Sequence, residues 1–180
     1  MEIGSASRTR KRARVALTPQ TEHASSRVLT LAGGEACPSG VVERWRRAQF
    51  CDAKVSAAGV VFEAHRVVLS AASGFFDGAF SAGLAESATA SVALSDMGAE
   101  TLRLALEFVY EGCVRVEEMA LVELLEAASF LRIATLVDAV AAELEARLSA
   151  QNCIAAMSLA EAHGLAPLMD AARQAALRHA

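Results

Sequence analysis

The stretch Phe62-Glu63-Ala64-His65-Arg66-Val67-Val68-Leu69-Ser70-Ala71-Ala72-Ser73-Gly74-Phe75-Phe76 decides the fold, because the hydrophobic period changes inside it. Up to Ala64 the apolar residues alternate. Ala53, Val55 and Ala57 point one way, Gly59 permits a turn, and Val60, Phe62 and Ala64 resume the period of two. This predicts a β-hairpin with one face on a core. From His65 the period is helical, with His65, Val68, Leu69 and Ala72 on one face. Ser73 breaks that run and is suited to cap a second short helix bearing Phe75, Phe76 and Phe80. Three of the seven Phe residues fall in that segment, which predicts a core plug.

Upstream, Val41, Val42 and Trp45 share a face while Glu43, Arg44, Arg46 and Arg47 fall mostly on the other, giving a short amphipathic helix from about residue 41. Residues 1–40 are rich in Ser, Thr, Arg and Gly without a sustained period, and read as a disordered basic tail. Downstream, Ser81 to Ala90 is small and polar, hence a loop, and Ser91 to Leu94 suits a short strand. A helix follows Asp96-Met97-Gly98, with Leu102, Ala105, Leu106 and Val109 inward and Gly112 as its stop. Another starts near Glu117 with Leu121, Leu124, Leu125, Ala128 and Leu131 as its stripe, and a third runs from about Thr135 to Leu148. Ser149 reads as the N-cap of a fourth, closed by His163-Gly164, and Pro167 opens a fifth. The order predicts an α+β domain: a small β-sheet flanked by a cluster of α-helices.

The hydrophobic fraction is 54%, much of it Ala, which favours helices that pack closely and bury little area each. The net charge of -4 is uneven. Residues 1–40 hold six Lys and Arg against three Glu, so the remainder is acidic and argues against direct nucleic-acid binding by the folded domain. The run Arg8-Thr9-Arg10-Lys11-Arg12-Ala13-Arg14 suits a nuclear-import signal, a solvated tail or, more weakly, a transit peptide. Cys37, Cys51, Cys113 and Cys153 are too scattered for a zinc ribbon or a CxxC pair. They suit free thiols in a reducing compartment, cytoplasmic or nuclear. No apolar run reaches the roughly 18 residues of a membrane span. His23, His65, His163 and His179 are dispersed, and no HExxH, GxSxG or P-loop occurs. No enzyme, cofactor or metal is expected.

The quoted stretch, with Phe50-Cys51-Asp52 before it, resembles the core of the BTB/POZ domain family. The resemblance continues through Phe80 to Ser87, Leu94-Ser95-Asp96, Glu107 to Gly112 and Leu124 to Leu131. Asn152-Cys153 and Ala160 to Leu165 resemble the start of the BACK extension of Kelch-type BTB proteins. The expected organisation is thus a basic tail over 1–40, a BTB/POZ domain over 41–148 and a partial BACK-like helical extension over 149–180. The family departs from this chain at Ala53, Ala57 and Ala79, where larger residues are common; the smaller side chains imply a thinner core.

The resemblance also implies roles. The chain would be a protein-interaction module that forms a homodimer through Val41, Val42 and Trp45, although these could equally pack on the chain's own hairpin. Asp52 and Arg66 resemble the family's charged pair in a pocket at the dimer floor, either structural or able to recruit a polar peptide. Leu84-Ala85-Glu86 resembles the hydrophobic-x-Glu motif with which adaptor BTB domains grip the cullin-3 scaffold; an apolar anchor beside a carboxylate can fill a pocket and pair with a base. Tyr110, Ile154 and Met157 would add contacts to that partner or serve as helix packing. The implied function is a dimeric adaptor bringing substrates to a cullin-3 ubiquitin ligase. Its alternatives are a nuclear scaffold recruiting transcriptional corepressors, and a short regulator that heterodimerises with longer BTB proteins.

Overall fold

The structure, a computed structural model, describes residues 27–81 and 90–178. Its centre is a three-stranded sheet of order β3-β2-β4. Strand β2 (Ala53–Ala57) pairs antiparallel with β3 (Val60–Ala64) and parallel with β4 (Ser91–Leu94). The hairpin is joined by Ala58 and Gly59, both at positive φ (46° and 80°), as a two-residue turn matched to strand twist requires. The alternation read from the sequence holds on β2, where Ala53, Val55 and Ala57 are buried; on β3 only Ala64 is buried, Phe62 is half-buried and Val60, beside the turn, is exposed.

A parallel partner needs a crossover. The chain between β3 and β4 supplies it, beginning with α2 (Arg66–Ala72) and α3 (Gly74–Ser81). Ser73 caps α3 as expected, its Oγ accepting from the Phe76 N–H at 3.2 Å. The same hydroxyl donates to the Leu131 carbonyl, so a buried polar group is satisfied twice. Phe76 and Phe80 plug the core; Phe75 does not, and lies half-buried at its edge.

Helix α4 (Ala99–Glu111) is the core helix, buried on every side except a strip holding Arg103 and Glu107. On that strip Arg103 pairs with Glu100 and with Glu107. Gly112 ends the helix in the left-handed conformation, φ 69°. After it come β5 (Cys113–Glu117), a 3₁₀ turn (Glu118–Ala120), α5 (Leu121–Phe130) and α6 (Ala134–Ala146).

Strand β5 was not expected, and neither was its partner. Strand β1 (Val28–Ala32) pairs antiparallel with β5, placing Leu29 opposite Val116 and Leu31 opposite Val114, all four buried. The expectation of a disordered tail through residue 40 therefore fails for this segment: two inward leucines give it enough apolar surface to hold a place in the fold. Residues 1–26, including the basic run, lie outside the described residues.

The linker after β1 leads to α1 (Ser39–Arg46), which has no fully buried residue. At the other end, α7 (Cys153–His163) and α8 (Ala166–Arg178) pack on each other, and α8 packs on α6. Gly164 closes α7 as expected, at φ 66°. Ser149 is not its N-cap: it lies in a preceding turn, its N–H donating to Asn152 Oδ1 at 2.7 Å, and the helix starts at Cys153.

A candidate partner-docking face

Two places bear on function, and the first collects several of the residues singled out from the sequence. The first is built around Tyr110, at the end of α4. Its side chain is fully buried, with Trp45 of α1 stacked on the ring at 4.2 Å and 2°. Its hydroxyl accepts from the His65 backbone N–H at 2.8 Å and lies 3.0 Å from His65 Nδ1. His65 Nε2 is 3.0 Å from the Gln49 carbonyl. One tautomer satisfies all of these: Nε2–H donates to Gln49 and Nδ1 accepts from Tyr110. Burial raises the Tyr110 phenol above its ordinary range. Tyr110 is therefore a core residue whose side chain is closed off from the surface, which is the packing alternative of the two roles read for it.

Cys51 Sγ sits 3.9 Å from His65 Nε2. In that tautomer the near nitrogen carries a proton, so it is no base for the thiol. Burial, with Glu63 and Asp52 nearby, pushes the Cys51 thiol upward. This is the reverse of an activated nucleophile.

Asp52 and Arg66 meet, but not as an ion pair. Asp52 Oδ1 accepts from the backbone N–H of Arg66 at 2.7 Å, which satisfies a free donor in the first turn of α2. The Arg66 guanidinium runs the other way, donating to the Phe80 carbonyl at 3.2 Å and lying 5.2 Å from that ring. Of the α1 residues, Val41 and Trp45 pack on the core, and all three of Val41, Val42 and Trp45 are half-buried.

The second place is a groove of about 370 Å³ between α3, the β4–α4 turn and α5. Phe75, Met97 and Phe130 supply its apolar lining, with the Phe75 and Phe130 rings 5.0 Å apart and Phe130 55% exposed. Asp96, Glu123 and Glu126 bring carboxylates to it. Glu123 is held by the Thr101 hydroxyl, which donates to its Oε1. Gly98 makes room for this contact: a Cβ there would meet Glu123 Oε1 at 3.0 Å. Alpha 3 and β4 flank the segment carrying Leu84 and Glu86, which lies outside the described residues. Ile154 of α7 is 74% exposed and Met157 is half-buried. The groove is absent from the sequence reading. Its lining comes from three separated segments; Phe75 was expected in the core plug, and Phe130 lies off the apolar stripe of its helix.

The BTB/POZ domain model matches residues 42–148, more than half of the chain. The chain belongs to the BTB/POZ family. This BTB chain is 34% identical over 140 residues to Kelch-like protein 21 of Danio rerio, covering 78% of the chain and 23% of that protein. It is 35% identical over 135 residues to Kelch-like protein 25 of Rattus norvegicus, covering 74% and 23%. Kelch repeat and BTB domain-containing protein 4 of Homo sapiens is 30% identical over 130 residues, covering 72% and 24%. The chain thus spans about a quarter of the length of these curated relatives. The BTB domain of zebrafish PATZ1 superposes with a TM-score of 0.50 at 24% identity, covering 56% of this chain and 81% of that one, a likeness of fold. A BTB chain with Kelch-like relatives is a protein–protein interaction module. No described helix is long and apolar enough to cross a membrane.

Proposed function

We propose that this BTB chain is a dimeric adaptor that docks on a cullin-3 scaffold and supports ubiquitination of bound substrates. The observation that carries the reading is the apolar groove of Phe75, Met97 and Phe130, bordered by both elements that flank Leu84-Ala85-Glu86. A preformed apolar groove with carboxylates at hand suits a partner helix that offers apolar and basic side chains. Ile154, exposed on α7, is proposed as a further apolar contact. Val41, Val42 and Trp45 are proposed for self-association, with Val42 the best placed because it is not engaged with the core.

The test is capture of a cullin-3 N-terminal fragment by the wild type and by Leu84→Asp, Glu86→Ala and Phe130→Asp. Loss of about tenfold or more is expected for the two Asp variants, the scale of a central interface anchor. Equal capture by all four proteins, or by none, sinks the proposal. A nuclear corepressor scaffold rests on the basic run at 8–14 alone, since the Asp52 carboxylate and the Arg66 guanidinium do not pair. Longer BTB proteins remain candidate heterodimer partners through α1.

A further inference from the structure

The groove between α3 and α5 is apolar inside and acidic around it. The N-terminal segment of the same chain is its complement: Arg8-Thr9-Arg10-Lys11-Arg12-Ala13-Arg14 holds five cations and no carboxylate, and Val15-Ala16-Leu17 follows with three apolar side chains. We propose that residues 8–17 dock in this groove in cis, the cations on Asp96, Glu123 and Glu126 and the apolar end against Phe130 and Met97. The chain thereby carries its own competitor for the docking face. The tail contact stands on the geometry below; only its consequence for cullin capture rests on the adaptor reading.

Three observations support the match. Arg suits carboxylates and aromatic faces alike, through its planar fork and cation–π contact, and Phe130 presents an exposed ring beside two glutamates. The tail also enters the fold close by. The Arg27 carbonyl accepts from the Glu118 N–H at 2.9 Å, at the head of the segment that becomes α5. Glu123 and Glu126 lie five and eight residues further, or about 8–12 Å along a helix. A dozen residues separate Arg14 from Arg27, and a linker of that length reaches about 20 Å root-mean-square. A tether matched to its span gives an effective concentration on the order of millimolar, so weak individual contacts suffice. Finally, the larger groove of about 850 Å³ beside α2 is a poorer match, because Arg132 lies in it with Glu35 and Asp77.

The closing experiment uses the full chain labelled with ¹³C-methyl methionine. Met97 reports on the groove, while Met157 and Met169 on α7 and α8 serve as controls within the same sample. Wild type is compared with a variant in which Arg8, Arg10, Lys11, Arg12 and Arg14 are all changed to Gln. The Met97 resonance is expected to differ between the two proteins, with the controls unmoved. Raising salt from about 0.15 M to 1 M, which shortens screening from about 8 Å to 3 Å, should move the wild-type signal to the variant's position. Glu123→Lys with Glu126→Lys should remove the difference. Identical Met97 signals in wild type and variant overturn the inference. A difference that fades on hundredfold dilution also overturns it, assigning the groove to the tail of a second copy. In parallel, the Gln variant should capture cullin-3 about tenfold better, the size expected when a tethered competitor is removed. No capture by either protein with the Met97 response intact sinks the adaptor reading and leaves the tail contact standing. Unequal capture without any Met97 response has the opposite meaning.

Discussion

Tyr110 joins three separate parts of the chain: α4 that carries it, α1 through the Trp45 stack and the β3–α2 junction through His65. Tyr110→Phe keeps the ring but strips the His65 N–H of its acceptor. A loss of about 1–3 kcal/mol is expected, read as a lower denaturant midpoint at unchanged slope. Trp45 is the chain's single tryptophan, so its fluorescence reports the same event. Ala58 is the opposite case. It sits at φ 46° in the hairpin turn, where an L side chain is disfavoured. Ala58→Gly should stabilise by about 0.5–1 kcal/mol in the same assay, and a destabilised variant would show that the turn is not strained. The thiols are ordered by exposure. Cys113 is exposed, whereas burial raises the Cys37 and Cys51 thiols. A raised thiol stays protonated, and so unreactive, to higher pH. Iodoacetamide near pH 8 should therefore label Cys113 first, and Cys51 should follow only as pH climbs past the ordinary thiol range of about 8.5. Mass spectrometry of quenched samples checks the order. None of these residue roles was visible in sequence, because Tyr110, Trp45 and His65 lie on three elements whose contact only the fold creates.

The helices were legible because each turns an apolar stripe toward one core, and their stops were legible where a glycine takes positive φ. Gly112 adds a contact no pattern announces. Its Cα faces the linker after β1, and a Cβ there would sit 2.6 Å from the Gly34 carbonyl oxygen and 2.8 Å from the Ala36 nitrogen. Gly112→Ala should cost well over 1 kcal/mol, combining the positive φ with displacement of that linker. The same change at Gly164, at φ 66° but with open space around it, should cost less. Melting the two variants side by side separates strain from crowding. The missed elements, β1 and β5, share one cause. Val28-Leu29-Thr30-Leu31-Ala32 and Cys113-Val114-Arg115-Val116-Glu117 both alternate, but each is short and its partner lies far off in sequence. Strand preference of this kind is decided by pairing more than by the segment itself.

For the whole molecule, the sequence conveyed the α+β class and the family resemblance, and the family match at 42–148 agrees with it. It did not convey the groove, because a concave surface built from the ends of three elements has no linear signature. Assembly is testable at this scale. A dimer is expected by light scattering at micromolar concentration, and Val42→Asp should yield monomers that melt near the wild-type temperature. Trp45→Ala should lower both assembly and melting temperature, since that ring also covers Tyr110. A monomeric wild type would remove α1 from the proposed interfaces.

Thr30 faces Arg115, about 85 residues later in the chain. A ribosome adds roughly 5–20 residues each second, so β1 is made several seconds before β5 exists to receive it. During that interval Leu29 and Leu31 have no place to go, and the closing of this sheet becomes a late event in the biogenesis of the protein. A nascent chain stopped short of residue 113 would thus lack the strand that shelters these two leucines.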